Sequence, residues 1–405
     1  MNDTTTRSLF RAIMGFAPAP RTLNWEFGYW GGALRRWYAE GLPAVKGPPT
    51  ELRYGNSIAG AGQPSGTPSF SGTISPRDSD VRGRFSFDED FRLVPYNYWI
   101  HPRFEKKTIS EDAEHREIWD GDGIRKKVFK DDSSMPFWLE YPVKSRGDWQ
   151  RVKDERFRLD SVGERWAADR EQFVERTRNR TFPLGVLGAP VGFFGSLRAL
   201  FGEKELFTVY YDDPSLVHEI ADHLCRLWLA MAEEMLSVME FDIACFWEDM
   251  AGKQGALISP AFFREFMTPY YRRIIGFLRS RGIELFVVDT DGKVDELVPL
   301  FLETGMNAMY PFERQAGNDP RAIGAMYPDL RMFGGFDKNV LSRGRDDIDR
   351  ELQWVPSLIG RGGYIPFADH LIPPNCPWEN FVYYRRRMAE IIDATPVTGR
   401  GAGRP

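Results

Sequence analysis

The stretch ELFVVDTDGKVDEL, residues 284–297, runs apolar through Leu285, Phe286, Val287 and Val288, then sets Asp289 and Asp291 two apart before Gly292. An unbroken apolar run bounded by a turn signal reads as a strand covered on both faces. Five more runs of this kind follow the same rule: FPLGVLGAPVGFF (182–194), FDIACFWEDM (241–250), MNAMYPFE (306–313), LRMFGGFD (330–337) and GGYIPFADH (362–370). Amphipathic segments separate them. Asp213-Pro214 opens a helical pattern through Glu240, Asp being a good N-cap and Pro suiting the first helical position. Ser259-Pro260 repeats the device before a helix that Gly282 is placed to end. Strand–helix alternation is the signature of a parallel sheet, and six units with more chain in front predict a (β/α)8 TIM barrel. RTLNWEFGYW (21–30) and RLVPYNYWI (92–100) supply strands one and two, and an open doubly wound sheet is the alternative.

The chain of 405 residues, 42% of them hydrophobic, is long enough to bury a barrel core, and residues 1–396 read as one such domain. Within it, the Gly-, Ser- and Pro-rich residues 55–80 offer few apolar groups to offset the entropy of ordering and read as a flexible excursion. Residues 87–150 read as a β-rich elaboration, with a hairpin turning at Asp122-Gly123. The tail VTGRGAGRP, 397–405, reads as disordered.

Charges of both signs are mixed along the chain, and the formal balance of −5 argues against nucleic acid and acidic membrane surfaces as partners. Three widely spaced cysteines and the absence of a signal-peptide-like apolar core point to a reducing cytoplasm. No run of about 18 uncharged apolar residues suggests a spanning helix.

Barrel chemistry sits at the C-terminal ends of the strands. Reading those ends in order gives Glu248 and Asp249, Asp289 and Asp291, Glu313, Asp337, then Asp369 and His370. Any one of these acids could simply cap a helix or pair with a neighbouring base, and His370 alone could be structural. Together they are harder to dismiss. Two carboxylates roughly 6 Å apart repel by about 3 kcal/mol at an effective dielectric near 20, so converging acids require protons, arginines or a cation. Residues two apart on a strand share a side, which lets Asp289 and Asp291 face the mouth while Thr290 packs outward. Most aromatic residues near the strand ends serve the core, but Trp25, Tyr29, Phe193, Trp247 and Tyr310 are candidates for binding a small substrate.

SPAFFREFMTPYYRRI (259–274) preceded by WEDMAGKQG, GAPVG at an earlier strand end, MFGGFDK, and GGYIPFADHLIPP followed by ENF resemble the uroporphyrinogen decarboxylase superfamily over roughly residues 180–390. That superfamily consists of (β/α)8 barrels and includes porphyrinogen decarboxylases and corrinoid-linked methyltransferases. Its zinc-dependent methyltransferases hold their metal with a His-x-Cys pair where this chain has Asp289 and Asp291, and with a cysteine near the last strand, where His370 stands here. Methionine synthase, a more distant relative, adds a Glu at the strand between, matched by Glu313. The resemblance therefore implies an oxygen-rich site of Asp289, Asp291, Glu313 and His370 suited to Mn, Fe or weakly held Zn rather than a thiolate zinc site. The arginine-rich first-strand motif of the porphyrinogen decarboxylases is replaced by Trp25-Glu26-Phe27-Gly28-Tyr29-Trp30, although His370 matches a histidine they carry.

The resemblance thus implies methyl transfer between a small substrate and a corrinoid held by a partner protein, with Glu248, Asp249 and His370 as catalytic groups. A decarboxylase acting on an organic acid and a non-catalytic binding barrel are the alternatives. Barrels of this kind often pair as homodimers.

Overall fold

The computed structural model describes residues 5–44, 57–59, 78–89, 91–131, 135–166 and 169–399. Its centre is a parallel sheet of seven strands: β1 (Arg92–Leu93), β2 (Leu184–Leu187), β3 (Ile243–Trp247), β4 (Phe286–Asp289), β5 (Ala308–Tyr310), β6 (Arg331–Phe333) and β7 (Tyr364–Ile365). Each strand lies beside its sequence neighbour, from β1 through to β7. A doubly wound sheet reverses its order at a switch point, so the strictly sequential order removes that alternative and describes a sheet curled towards closure.

The gap between β1 and β7 is occupied by residues 22–28, which do not form a strand of this sheet. Thr22 Oγ1 donates to the Tyr364 carbonyl at 2.7 Å, and the Asp88 N–H donates to the Asn24 carbonyl at 3.1 Å. At the centre, the Glu26 carboxylate accepts from the Phe27 and Ala368 N–H groups. A side chain thus takes hydrogen bonds that a backbone ladder would take, and eight-stranded closure is not formed as a continuous ladder. Glu26 is itself held by buried Arg385 at 2.9 Å. Only Gly28–Trp30 of the expected first strand is extended in a ladder, antiparallel to Ser57–Ala59, while Pro95 follows soon after the short second strand.

The helix caps behave as the sequence indicates. Asp213 accepts from the Leu216 N–H at the start of a helix over Pro214–Leu236, four residues shorter than expected. Ser259 accepts from the Phe262 N–H, but the following helix is broken into Pro260–Phe266 and Thr268–Ser280. Pro269, which lacks an N–H, sits in the first turn of the second piece.

Strands Lys107–Glu111, His115–Trp119, Arg125–Phe129 and Phe137–Glu140 form the antiparallel elaboration. Gly123 adopts φ +75° in the expected turn, and the Asp120 N–H donates to the Ile124 carbonyl. Most of the 55–80 excursion lies outside the described residues, as does the tail from 400. The start of that tail is fastened: Val397 is buried and pairs with Ala19. Among the described residues no helix is long and apolar enough to cross a membrane.

Candidate active site at the strand ends

Parallel register sets Trp247, Asp289 and Tyr310 side by side at the ends of β3, β4 and β5. The Tyr310 hydroxyl hydrogen-bonds Asp289. Burial, then the charges of Asp291 and Asp249, push the Asp289 carboxyl well above the usual carboxylate range, against the opposing pull of Tyr310. Thr290 turns away, as period-two alternation requires, and its hydroxyl accepts from the Met250 N–H at 3.1 Å. Gly292 then bends the chain at φ +80°, where a Cβ would lie 2.3 Å from the Ala251 carbonyl oxygen.

Asp291 lies on the same side as Asp289 and meets His370, whose Nε2 is 3.4 Å from its carboxylate. The imidazole stacks on Phe27 with centroids 5.2 Å apart, and Phe27 in turn approaches Tyr310 at 6.1 Å. Asp249 joins this group from β3 with a left-handed backbone, φ +50°, uncommon for a residue other than glycine. Burial and the neighbouring Asp291 raise its carboxyl, while Arg198 at 2.9 Å and His370 oppose that shift. The Arg198 guanidinium also lies 5.8 Å from the Trp247 ring centre.

Glu248 faces elsewhere. It is fully buried, and its oxygens accept from the Phe193 and Gly195 N–H groups, both at 2.8 Å, and from Tyr271. Burial pushes its carboxyl up to about 7 despite those three donors. It closes the N-terminus of the helix Phe193–Phe201, so this expected catalytic residue is turned to the helix end rather than to Asp289 and Asp291. Phe193 is likewise buried, among Trp228, Tyr270 and Tyr271. Tyr29 packs edge-on against Trp37 and Phe381, and Trp25 lies against Phe10 while donating to the Glu89 carbonyl. These three aromatic residues belong to the core, leaving Trp247 and Tyr310 of the five expected beside the acids.

Glu313 is also committed. One oxygen accepts from the Gly292 N–H at 3.0 Å and the other from Lys338 at 3.2 Å. Lys338 approaches buried Asp369 too, at 3.6 Å, and burial raises that carboxyl to about 6. Glu313 is turned to a lysine, Asp289 is hydrogen-bonded to Tyr310 and Asp291 faces His370. Among the described residues no three His, Cys, Asp or Glu side chains are placed to hold a metal ion. With these side chains committed to protein partners, the donor set does not fit a bound ion.

Two members of the site escaped sequence reasoning. Phe27 lies in the quoted first-strand segment two residues from Trp25, so its alternation was available as a signal. Arg198 sits six residues into the helix that follows β2 and reaches Asp249 only through the docking of that helix on β3, which no local pattern encodes.

Comparison with known proteins accords with this architecture. The sequence profile described as uroporphyrinogen decarboxylase (URO-D) matches residues 129–390. Among solved structures, the chain resembles a methyltransferase from Methanosarcina mazei with a TM-score of 0.53 and 14% identity, covering 96% of this chain and 100% of that one. At that identity the likeness is one of fold. No protein of curated function matches the chain. The matched profile spans well over half of the sequence and takes in β2 through β7 with Asp249, Asp289, Asp291 and His370; the chain belongs to the uroporphyrinogen decarboxylase family.

Proposed function

We propose that the protein transfers a methyl group from a small molecule at the strand ends to a corrinoid carried by a separate protein, with Asp289 as proton donor. The observation that carries this reading is the strand-end grouping of Asp289, in register between Trp247 and Tyr310, with the Asp291–His370 pair two residues further on, burial holding the Asp289 carboxyl above the usual carboxylate range. When a methyl–heteroatom bond breaks, its electron pair stays on the heteroatom, which must gain a proton to leave as a neutral group. A reduced corrinoid, when docked, would supply the electron pair that takes the methyl carbon. Asp289 gives its proton to the heteroatom, and His370, paired with Asp291, returns one from solvent. Trp247, Tyr310 and Phe27 provide apolar wall for the methyl-bearing end. The fold shared with a methyltransferase supports the reading, though only at the level of architecture.

A carboxy-lyase acting on an organic acid is the second reading. His370 beside Asp291 favours it, because an imidazolium can deliver the proton that replaces carbon dioxide. Against it, Arg198 and Lys338, which would have to hold a carboxylate substrate, are already tied to Asp249, Glu313 and Asp369.

Anoxic incubation with free cob(I)alamin and a panel of methyl ethers, methylamines and methyl thioethers tests the proposal. Methyl transfer is followed by loss of cob(I)alamin absorbance, and carbon dioxide release from a panel of organic acids is measured in parallel. Transfer that disappears in Asp289→Asn is expected. Carbon dioxide release without methyl transfer would replace the proposal with the second reading.

A further inference from the structure

A second cleft, of about 340 Å3, lies between the antiparallel elaboration and the helix Arg146–Arg156. It shares no residue with the strand-end site. Phe104, Trp119, Tyr141, Pro142 and Val152 make its walls mainly apolar, and charged side chains stand around them. Most of those charges are spent on one another. Asp120 pairs with Lys126 at 2.8 Å, Glu140 with Lys144 at 2.9 Å, and Asp148 with Arg151 at 2.9 Å. Glu105 is different: it is exposed and has no ion-pair or hydrogen-bond partner among the described residues. The unspent charge on the lining is therefore a carboxylate, beside three aromatic rings.

Phe104 already receives a cation, the Arg156 guanidinium at 4.6 Å from its ring centre. No cation lies over Trp119 or Tyr141 among the described residues. Aromatic faces attract positive charge, and apolar walls favour a bulky, weakly hydrated cation over a compact hydrated one. We propose that this cleft binds a small methylated ammonium ion, with Trp119 and Tyr141 against its methyl groups and Glu105 balancing its charge. The volume is at the lower end of that of small-molecule sites and suits a ligand of this size.

Calorimetry with choline and its uncharged carbon isostere 3,3-dimethylbutan-1-ol tests the assignment on the full chain. Choline is expected to bind at millimolar concentration or tighter, with the isostere at least about fivefold weaker, since a cation–π contact contributes on this scale. Trp119→Leu and Glu105→Gln should each weaken choline by about fivefold. Glu105 is exposed, so its variant tests the site even if the tryptophan variant folds poorly. Asp291→Asn, at the strand ends, should leave choline binding unchanged. No choline binding, equal binding of the isostere, or binding lost in Asp291→Asn but retained in Glu105→Gln would each overturn the proposal.

Discussion

His370 Nε2 stands 3.4 Å from the Asp291 carboxylate, linking the end of the last strand to the loop after β4 across the mouth. Both side chains keep some exposure, 23% and 36%, so the contact contributes little to folding. In the proposed methyl transfer its value would be to hold a proton carrier on Asp291, two residues from Asp289. Asp291→Asn should therefore lower methyl-transfer turnover by about 100-fold, the lower end of a general acid–base contribution, while stability changes by less than about 1 kcal/mol. The same substitution removes a charge that raises both Asp249 and Asp289. Their carboxyls should ionise at lower pH, shifting the alkaline fall in activity downward. Unchanged turnover and an unmoved pH profile would remove the pair from the mechanism.

Tyr310 acts on Asp289 in the opposite sense, because its hydrogen bond favours the charged carboxylate. Tyr310→Phe should raise the Asp289 pKa further and move the alkaline limb of kcat/KM to higher pH. Stability obeys the same linkage. A carboxyl whose folded pKa lies above its unfolded value of about 3.9 contributes stability that is present below that value and lost as pH rises through the folded pKa. Asp289→Asn should therefore flatten the wild-type decline in stability above about pH 4. Urea melts at several pH values measure the slope, and parallel curves for the two proteins would contradict a raised Asp289.

At the other end of the parallel sheet, Asp242 shows the reverse sign. Burial alone would raise its carboxyl, but the Leu184 N–H, Arg180 and Arg7 outweigh burial and hold it below the usual range. Its side chain is fully buried, with Arg180 almost so, and it also anchors Arg7 and Arg11 of the helix Thr6–Met14. Asp242→Asn leaves buried Arg180 without its countercharge and Arg7 with only Glu240 at 3.6 Å, and should cost about 3–5 kcal/mol. In the wild type this contribution is present above about pH 3.9 and is lost as pH falls through the depressed folded value. Equal melting temperatures for the two proteins at neutral pH would show that the N-terminal helix is held by apolar packing instead.

Much of the fold was legible because it is written in local patterns. The runs ending at Trp247, Asp289 and Tyr310 appear as strands in the expected order, and Asp213 and Ser259 cap the helices they were assigned. The break at Met267 was missed because the apolar pattern continues through it, although Pro269 signalled a new first turn. At the site, alternation correctly joined Asp289 to Asp291. It could not foresee that Glu248 would turn inwards to a helix end or that Lys338 would claim Glu313, since both contacts join segments far apart in sequence. Strand-end position told which residues reach the mouth level, while the direction of each side chain depended on partners that only packing brings together.

Gly192 is where that packing is tightest. A Cβ there would lie 1.9 Å from the Trp247 carbonyl oxygen and 2.9 Å from Glu248 Cδ. Its backbone is extended, φ −177°, so an alanine meets no conformational penalty and the conflict is purely steric. To relieve it, the helix Phe193–Phe201 must move off β3. That motion would stretch the 2.8 Å bond from the Trp247 N–H to the Val191 carbonyl and both Glu248 contacts to the helix end. Gly192→Ala should thus cost at least about 3 kcal/mol, the upper range of core overpacking, and displace Asp249 through its neighbour Glu248. Gly276 supplies the control: it is exposed within the helix Thr268–Ser280, and nothing lies within 4 Å of a Cβ built there. Gly276→Ala should stabilise by about 0.4–1 kcal/mol by restricting the unfolded chain. If urea melts show both alanines behaving alike, the close seating of the helix on β3 is wrong, and with it the route by which buried Glu248 fixes the acids above it.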